Sequence, residues 1–575
     1  MKSRSGRIIR TPHRFGDEIR AMKAELALTE VLDFNETIGT IGGRVALDKE
    51  LATLERLGAF DLHSPLEFLQ ARKVENARFV RLKAILALKN ADMPEVYRQI
   101  NARLVAQGCI ILDGNNRKSD GGDFDYDKPA SLAGLRLALA YSQSLEDGDV
   151  AFFDIDSAYL SAKLGGPPCY GRLPRSMWPR HWRGMTDPVI RIEGALYGFP
   201  RAGSDYSVEA RRRLKKLGWT PFDAEMNLYW HTRNGKRQLL VLYVDDGAIA
   251  GRKSDVQEAM NELKKIYPIT KKIQWLRNAS KNEPVRHLGV DLYIDESDHV
   301  VLDGSRYAQH IIEGNEVFRY GGRQYNTPAA EMVNDMPEMI RSKDGAKRLV
   351  GQLLWLARTT RPDLFLAVVL LAARVDRWDS NADAAARRIL GYLESTKERT
   401  LRYEKCVTTE LPSVETFADA SLGTCRATRR SMTGYCTFIN FGGHSLLIDW
   451  AARRQRAVST SITEAELAAI HEAIQVSTLP LQELVSAMMG RNVSSVVFTD
   501  SQSAIRTIKN GFSSRLIHMS RTHEISLGWL KERSDAGDFV LTHVRSELNK
   551  SDIFTKPLER IAFERCRALL MGDDC

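Results

Sequence analysis

Leu239-Leu240-Val241-Leu242-Tyr243-Val244-Asp245-Asp246-Gly247-Ala248-Ile249-Ala250-Gly251 is the stretch on which the fold turns. Two apolar, β-favouring runs flank an acidic pair followed by glycine, which predicts a hairpin with its turn at Asp245-Asp246. Two adjacent carboxylates at the tip of an apolar hairpin are costly to bury unless a cation neutralises them. A hard divalent ion such as Mg²⁺ prefers carboxylate oxygens. The alternative is a solvated turn, because Asp and Gly are ordinary turn residues. Upstream, Val150-Ala151-Phe152-Phe153-Asp154-Ile155-Asp156 is a second strand-like run that ends in a carboxylate. Two strands that deliver Asp to one place make the platform of a two-metal phosphoryl-transfer site, its ions roughly 3.5–4 Å apart.

With 575 residues the chain is expected to form several domains. Its formal net charge of +9 and pI near 9.0 suit a nucleic-acid partner and are equally compatible with plain solubility. The seven cysteines (Cys109, Cys169, Cys406, Cys425, Cys436, Cys566 and Cys575) are scattered without a CxxC or a Cys/His cluster. That pattern argues against a disulfide framework or a zinc site and for a reducing compartment. No apolar run approaches the roughly 18 residues that span a bilayer, and the basic N-terminus lacks a signal-peptide core, so no membrane partner is expected.

From about residue 413 the strand pattern restarts. Thr416-Phe417-Ala418-Asp419 and Val496-Val497-Phe498-Thr499-Asp500 predict strands that end in Asp. Ser461-Ile462-Thr463-Glu464-Ala465-Glu466-Leu467 predicts a helix start with paired glutamates. Asn549-Lys550-Ser551-Asp552-Ile553-Phe554-Thr555-Lys556-Pro557-Leu558 is expected to open the C-terminal helix with a fourth acid. Gathered together, four carboxylates repel unless metal ions hold them.

Tyr243-Val244-Asp245-Asp246 resembles the catalytic box of reverse transcriptases, and Asp154-Ile155-Asp156-Ser157-Ala158-Tyr159-Leu160 resembles their first aspartate motif. Ala195-Leu196-Tyr197-Gly198 is similar to the segment between those motifs in copia-type LTR retrotransposons, and the acidic set after residue 413 resembles ribonuclease H. The resemblance covers roughly residues 40–570 and implies an α/β chain. Its parts would be a basic lead-in (1–35), an α+β fingers-and-palm domain (36–330), thumb or connection helices (331–412), and a ribonuclease H-like domain with a mixed sheet (413–575).

For the first centre the resemblance implies that Asp154, Asp245 and Asp246 hold two Mg²⁺, with Mn²⁺ as an alternative ion. Tyr159 would lie under the sugar and exclude a 2′-hydroxyl, Arg103 would meet the incoming triphosphate, and Tyr243 joins this nucleotide-binding group. Two positions depart from the family: Asn101 stands where a Lys is usual, and Arg201 where a Gln steadies the nucleotide. For the second centre the implied metal ligands are Asp419, Glu466, Asp500 and Asp552, again around two ions. Glu466 is preferred to Glu464 because it precedes the apolar Leu467, and residues two apart face different sides of a helix. His543 stands near the place of a mobile histidine that assists product release, and His523 matches a family histidine.

The expected partners are an RNA template, a DNA primer and product, the RNA/DNA hybrid and dNTPs; oligomeric state has no signature in the sequence. The family also implies cytoplasmic virus-like particles, with later passage of the DNA product to the nucleus. No Asp-Thr/Ser-Gly protease box or integrase zinc knot is present, so a polyprotein fragment or a reduced element is expected. Asn101 and Arg201 keep open the alternative of a decayed or domesticated copy that binds nucleic acid without polymerising.

Overall fold

The computed structural model describes residues 30–89, 96, 98–119, 130–223, 225, 227–318, 323–330, 345–424 and 428–572. Most of the basic lead-in, residues 331–344 of the expected thumb or connection segment, Cys425 and Cys575 lie outside them. The chain is an α/β protein whose described residues divide into two compact units: those of 30–138 with 149–275, and those of 139–148 with 276–572.

In the first unit, α1 (Ile41–Arg56) precedes the long strand β1 (Arg78–Lys89), which pairs antiparallel with β2 (Gln99–Ala106). Between α2 (Leu132–Ser144) and α3 (Ala202–Lys216) runs β3 (Gly148–Asp154). The strands β4 (Leu228–Arg233), β5 (Lys236–Tyr243) and β6 (Asp246–Arg252) follow, then α4 (Lys253–Ile266). Among the described residues β3, β6, β5 and β4 are successive neighbours in one six-stranded sheet. Leu239, Leu240, Leu242, Ala248, Ile249 and Ala250 are all at or below 1% exposed, so the hairpin is greasy because both its faces are buried.

The hairpin turn lies one residue earlier than the sequence suggests. Tyr243 pairs with Asp246, leaving Val244 and Asp245 as the two turn residues. Val244 alone is left-handed, at φ +62°, the pattern of a type II′ turn. A β-branched residue there costs on the order of 1–3 kcal/mol, which surrounding contacts must offset. Gly247 is therefore not a turn glycine. A Cβ at that position would stand 2.2 Å from the Phe153 ring, so glycine is needed for β3 and β6 to approach.

In the second unit, three strands of a four-stranded sheet (within residues 285–303) precede helices α5 (Ala346–Thr359), α6 (Phe365–Ala372) and α7 (Ser380–Thr396), and its fourth strand (residues 401–403) follows them. A five-stranded mixed sheet comes next: β7 (Ser413–Ser421), β8 (Met432–Phe441), β9 (His444–Arg454), β10 (Ser495–Thr499) and β11 (Val540–His543). Its order is β9-β8-β7-β10-β11, antiparallel on the first side and parallel from β7 through β10 to β11. Helix α8 (Ile462–Ala473) lies against β7 and β8, with Leu467 and Ile470 in the apolar core.

Two boundaries in this unit differ from expectation. Asp419 lies inside β7, opposite Gly434, because pairing with β8 continues to Ser421. Asp552 does not open the C-terminal helix: it starts a short 3₁₀ turn (Asp552–Phe554), and α9 (Arg560–Met571) begins after Pro557. Proline steers the preceding residue out of the helical region and ends the turn.

Candidate active sites

The first acidic centre is assembled by backbone registry. Asp154 closes β3, Asp246 opens the neighbouring β6, and Asp245 sits in the turn between β5 and β6. The amide of Ile155 donates to the carbonyl of Asp245 at 2.7 Å, tying the segment after Asp154 to the turn. On the other side, the Tyr206 hydroxyl donates to the carbonyl of Val244, also at 2.7 Å. Burial pushes the Asp245 carboxyl above its usual range, and the charge of Asp154 adds to the rise. Lys271 Nζ lies 2.7 Å from Asp154 Oδ2 and supplies a cation that the sequence reading left out. Its signal was the Lys271-Lys272 pair in the loop after α4, indistinguishable in sequence from ordinary surface lysines.

Arg103 on β2 is brought to this centre by a close passage of two backbones. Gly198, at φ +89°, runs so near β2 that a Cβ would stand 2.1 Å from the Ala106 carbonyl. Tyr197 thereby lies beside Arg103, whose guanidinium carbon is 5.0 Å from the ring centroid. Burial works against the charge of Arg103, but Tyr197, Glu50, Asp245 and Asp154 hold its guanidinium above its ordinary value. Tyr159, in a 3₁₀ turn at Ala158–Ser161, meets Tyr197 edge-on at 4.8 Å and Tyr206 at 5.7 Å. Tyr243 is half-buried at the end of β5, and Asn101 is exposed on β2.

Arg201 is already engaged. Its guanidinium makes a two-bond pair with Asp205, both bonds 2.9 Å, and lies against Gly165 and Gly166. The basic run Arg211-Arg212-Arg213 is also partly spoken for. Arg212 and Arg213 both bind Glu209, and Arg213 reaches the carbonyls of Ser161 and Ile266.

The second centre gathers three carboxylates most tightly. Asp419, Asp500 and Asp552 each offer an oxygen within 4.8 Å of the others. At that spacing two unit charges repel by roughly 3 kcal/mol at an effective dielectric near 20. Gly434 makes the gathering possible. A Cβ there would strike Thr555 at 2.6 Å and Phe554 at 2.8 Å, so glycine lets the 552–555 turn seat on the sheet. The Thr555 hydroxyl then donates to Asp419, and Ser546 Oγ donates to Asp500 at 2.6 Å. Lys556 Nζ sits 3.0 Å from Asp552 Oδ2, one helical turn on in sequence, and the sequence reading left it out too.

Glu466 faces this group. Burial raises its carboxyl well above the ordinary range, and Asp419 and Asp500 raise it further. Asp419 is raised by burial and then by Asp552. Glu466 Oε2 and Asp552 Oδ1 are buried without a hydrogen-bond partner. Orphaned acceptor oxygens in an all-carboxylate pocket fit a hard divalent cation.

Glu464 points elsewhere. It accepts from the amide and hydroxyl of Thr460 at 2.6 and 2.7 Å and lies 3.1 Å from His518 Nε2. Those bonds hold its carboxyl low although burial works to raise it. His523 pairs with Ser459 Oγ at 3.1 Å, away from the carboxylate set in bonding terms. His543 is exposed at the end of β11, in register with Thr499, the residue before Asp500. Arg453, one of the residues flanking the β8–β9 hairpin, is paired with Glu472 at 2.9 Å.

Residues 71–327 match the family described as reverse transcriptase (RNA-dependent DNA polymerase). Over 540 residues, 91% of its length, the chain is 23% identical to a retrovirus-related Pol polyprotein from transposon TNT 1-94 of Nicotiana tabacum. It is 24% identical over 479 residues, 80% of its length, to the Pol polyprotein from transposon RE2 of Arabidopsis thaliana. The chain spans 37% and 30% of those two polyproteins. Among solved structures, the foamy viral protease-reverse transcriptase in complex with ds DNA aligns with a TM-score of 0.41 and 12% identity, covering 78% of this chain and 63% of that one. No helix among the described residues is long and apolar enough to cross a membrane. Residues 71–327 thus match the reverse transcriptase family, and along most of its length the chain is similar to the Pol polyproteins of copia-type retrotransposons.

Proposed function

We propose that the chain is an RNA-directed DNA polymerase that also cleaves the RNA strand of RNA/DNA hybrids, with dNTPs, an RNA template and a DNA primer as its substrates. The observation that carries the reading is the backbone registry that puts Asp154 at the end of β3, Asp246 at the start of the neighbouring β6 and Asp245 in the turn between β5 and β6, with that turn fixed by the Ile155 amide. Asp154, Asp245 and Asp246 are the residues to hold Mg²⁺, or Mn²⁺ in its place, in the first centre. Asp419, Glu466, Asp500 and Asp552 are those of the second. Bound divalent ions supply activation of the attacking primer hydroxyl or water and neutralisation of the leaving group's charge.

The remaining work belongs to side chains of this chain. Arg103 presents a guanidinium whose geometry suits phosphate oxygens. Tyr159 offers a ring face where a deoxyribose fits and a 2′-hydroxyl does not. Tyr243 frames the same side of the turn. Arg201, bound to Asp205, acts here through the 165–166 loop rather than through a free guanidinium. His543, exposed at the end of β11 beside the strand that leads to Asp500, takes the part of the histidine that assists product release. Contacts to 2′-hydroxyls distinguish RNA from DNA at the second centre. On this reading the activity belongs to cytoplasmic particles, before the DNA product passes to the nucleus.

Primer extension on a labelled RNA template with Mg²⁺ and dNTPs tests both centres at once. Extension and RNA cleavage together are expected. Asp245→Asn should abolish extension and spare cleavage, and Asp500→Asn should do the reverse. Loss of both activities in either variant, with the fold intact, would refute two separate centres. A wild-type chain that binds hybrid but neither extends nor cleaves would instead establish the decayed copy that Asn101 suggests.

A further inference from the structure

We propose that Tyr206 is a positioning residue of the polymerase centre, its hydroxyl fixing the Val244 carbonyl and thereby the place of the Asp245 carboxylate. The inference rests on reading that centre as the polymerase site. The two-residue turn has two carbonyls, and each has one dedicated donor. The Asp245 carbonyl takes the Ile155 amide, and the Val244 carbonyl takes the Tyr206 hydroxyl, each at 2.7 Å. Val244 is held at φ +62°, a conformation a β-branched residue leaves unless something retains it. The amide clamp is part of the backbone. The tyrosine clamp is a single side-chain atom.

Tyr206 is suited to be a fixed point. It is 2% exposed, so water does not compete for its hydroxyl. It lies in the first half of α3, whose start is pinned by the Arg201–Asp205 pair. Asp205 in turn accepts the Gly165 amide at 2.9 Å. The same ring meets Tyr159 edge-on at 5.7 Å, and Tyr159 meets Tyr197 at 4.8 Å. One buried aromatic thus joins the catalytic turn to the residue assigned to sugar selection. Phosphoryl transfer is sensitive to small displacements of the groups that hold the reacting atoms, so a loosened turn should slow chemistry more than it weakens nucleotide binding.

Tyr206→Phe deletes only the donor and keeps the ring and its packing. The expected result is a fall of about tenfold in kcat for dNTP incorporation with the dNTP KM within about twofold. The Mg²⁺ concentration for half-maximal extension should rise several-fold, while hybrid cleavage by the same preparation stays unchanged. Wild-type kcat and wild-type Mg²⁺ dependence in Tyr206→Phe would overturn the inference. So would a parallel loss of extension and hybrid cleavage, the mark of general destabilisation. A wild-type chain without any dNTP incorporation would overturn the polymerase reading itself, and the role of Tyr206 with it.

Discussion

Glu466 and Asp419 hold their protons more tightly in the folded chain than an unfolded chain would, because burial and neighbouring carboxylates disfavour their charged forms. The sign of the consequence is fixed by linkage. A carboxyl whose folded pKa is raised binds more protons in the native state. Its contribution to stability is full below the ordinary carboxylate range near pH 4 and is lost as pH rises through neutrality and beyond. Without divalent ions the chain should therefore melt at lower temperature at pH 8 than at pH 6. Mg²⁺ should remove most of that difference. Glu466→Gln should flatten the slope in EDTA, raise stability at pH 8 by on the order of 1–3 kcal/mol, and abolish hybrid cleavage. Thermal melts with EDTA and with Mg²⁺ read this directly. A pH slope in Glu466→Gln as steep as wild type would mean that these carboxyls are not the source. Glu464, two residues away, gives the contrast. Its carboxylate ties Thr460, the residue before the N-cap Ser461, to the start of the helix, so Glu464→Ala should destabilise by about 1 kcal/mol without a metal-dependent component.

At the scale of elements, two glycines decide whether the acidic residues meet. Gly434→Ala drives a methyl into Thr555 and Phe554, so the 552–555 turn must lift from the sheet and carry Asp552 away from Asp419. Hybrid cleavage should fall at least tenfold for a stability cost of about 1–3 kcal/mol. DNA synthesis by the same variant is the control, and equal losses in the two activities would count against this cause. Gly247→Ala meets the Phe153 ring in the same way and should damage synthesis selectively.

These elements also show how far the sequence could be read. The hairpin, the helix that starts at Ser461 and the strand before Asp500 were all legible, because apolar periodicity and capping residues are local signals. Helix geometry lets only one of Glu464 and Glu466 face the acidic set, and the choice of Glu466 comes from the family resemblance, in which the glutamate precedes the apolar Leu467. The turn at Val244-Asp245 was not legible, since a left-handed valine violates local preference and is retained by non-local contacts with Tyr206 and Ile155. Nor was the role of Gly247, which depends on a ring in another strand. Lys271 and Lys556 stayed hidden for the same reason: a lysine is an ordinary surface residue until the fold sets a carboxylate beside it.

On the largest scale, the unit that holds the second centre is bound together by a buried polar network outside that centre. Arg361, 1% exposed, makes a two-bond pair with Asp363 at 2.9 and 2.8 Å, and also binds the carbonyl and hydroxyl of Thr396 on α7. The Tyr392 hydroxyl donates to Asp363 at 2.7 Å, and Arg567 on the C-terminal helix α9 donates to that hydroxyl at 3.3 Å. The helices before residue 413 and the last helix of the chain thus share one set of charges. Breaking a buried pair by removing one partner typically costs about 3–5 kcal/mol, because the other charge stays buried and uncompensated. Asp363→Ala should lower the temperature at which hybrid cleavage is lost, with every carboxylate of the centre intact. For the same reason a fragment beginning at residue 413 lacks Tyr392 and Asp363, through which Arg567 joins the network, and should melt lower and less cooperatively than one beginning at residue 346, which keeps α5, α6 and α7. Circular-dichroism melts of the two fragments decide it. If the shorter one melts as sharply and as high as the longer, the network adds nothing to that sheet's stability, and the ribonuclease H-like fold stands on its own strands and helices.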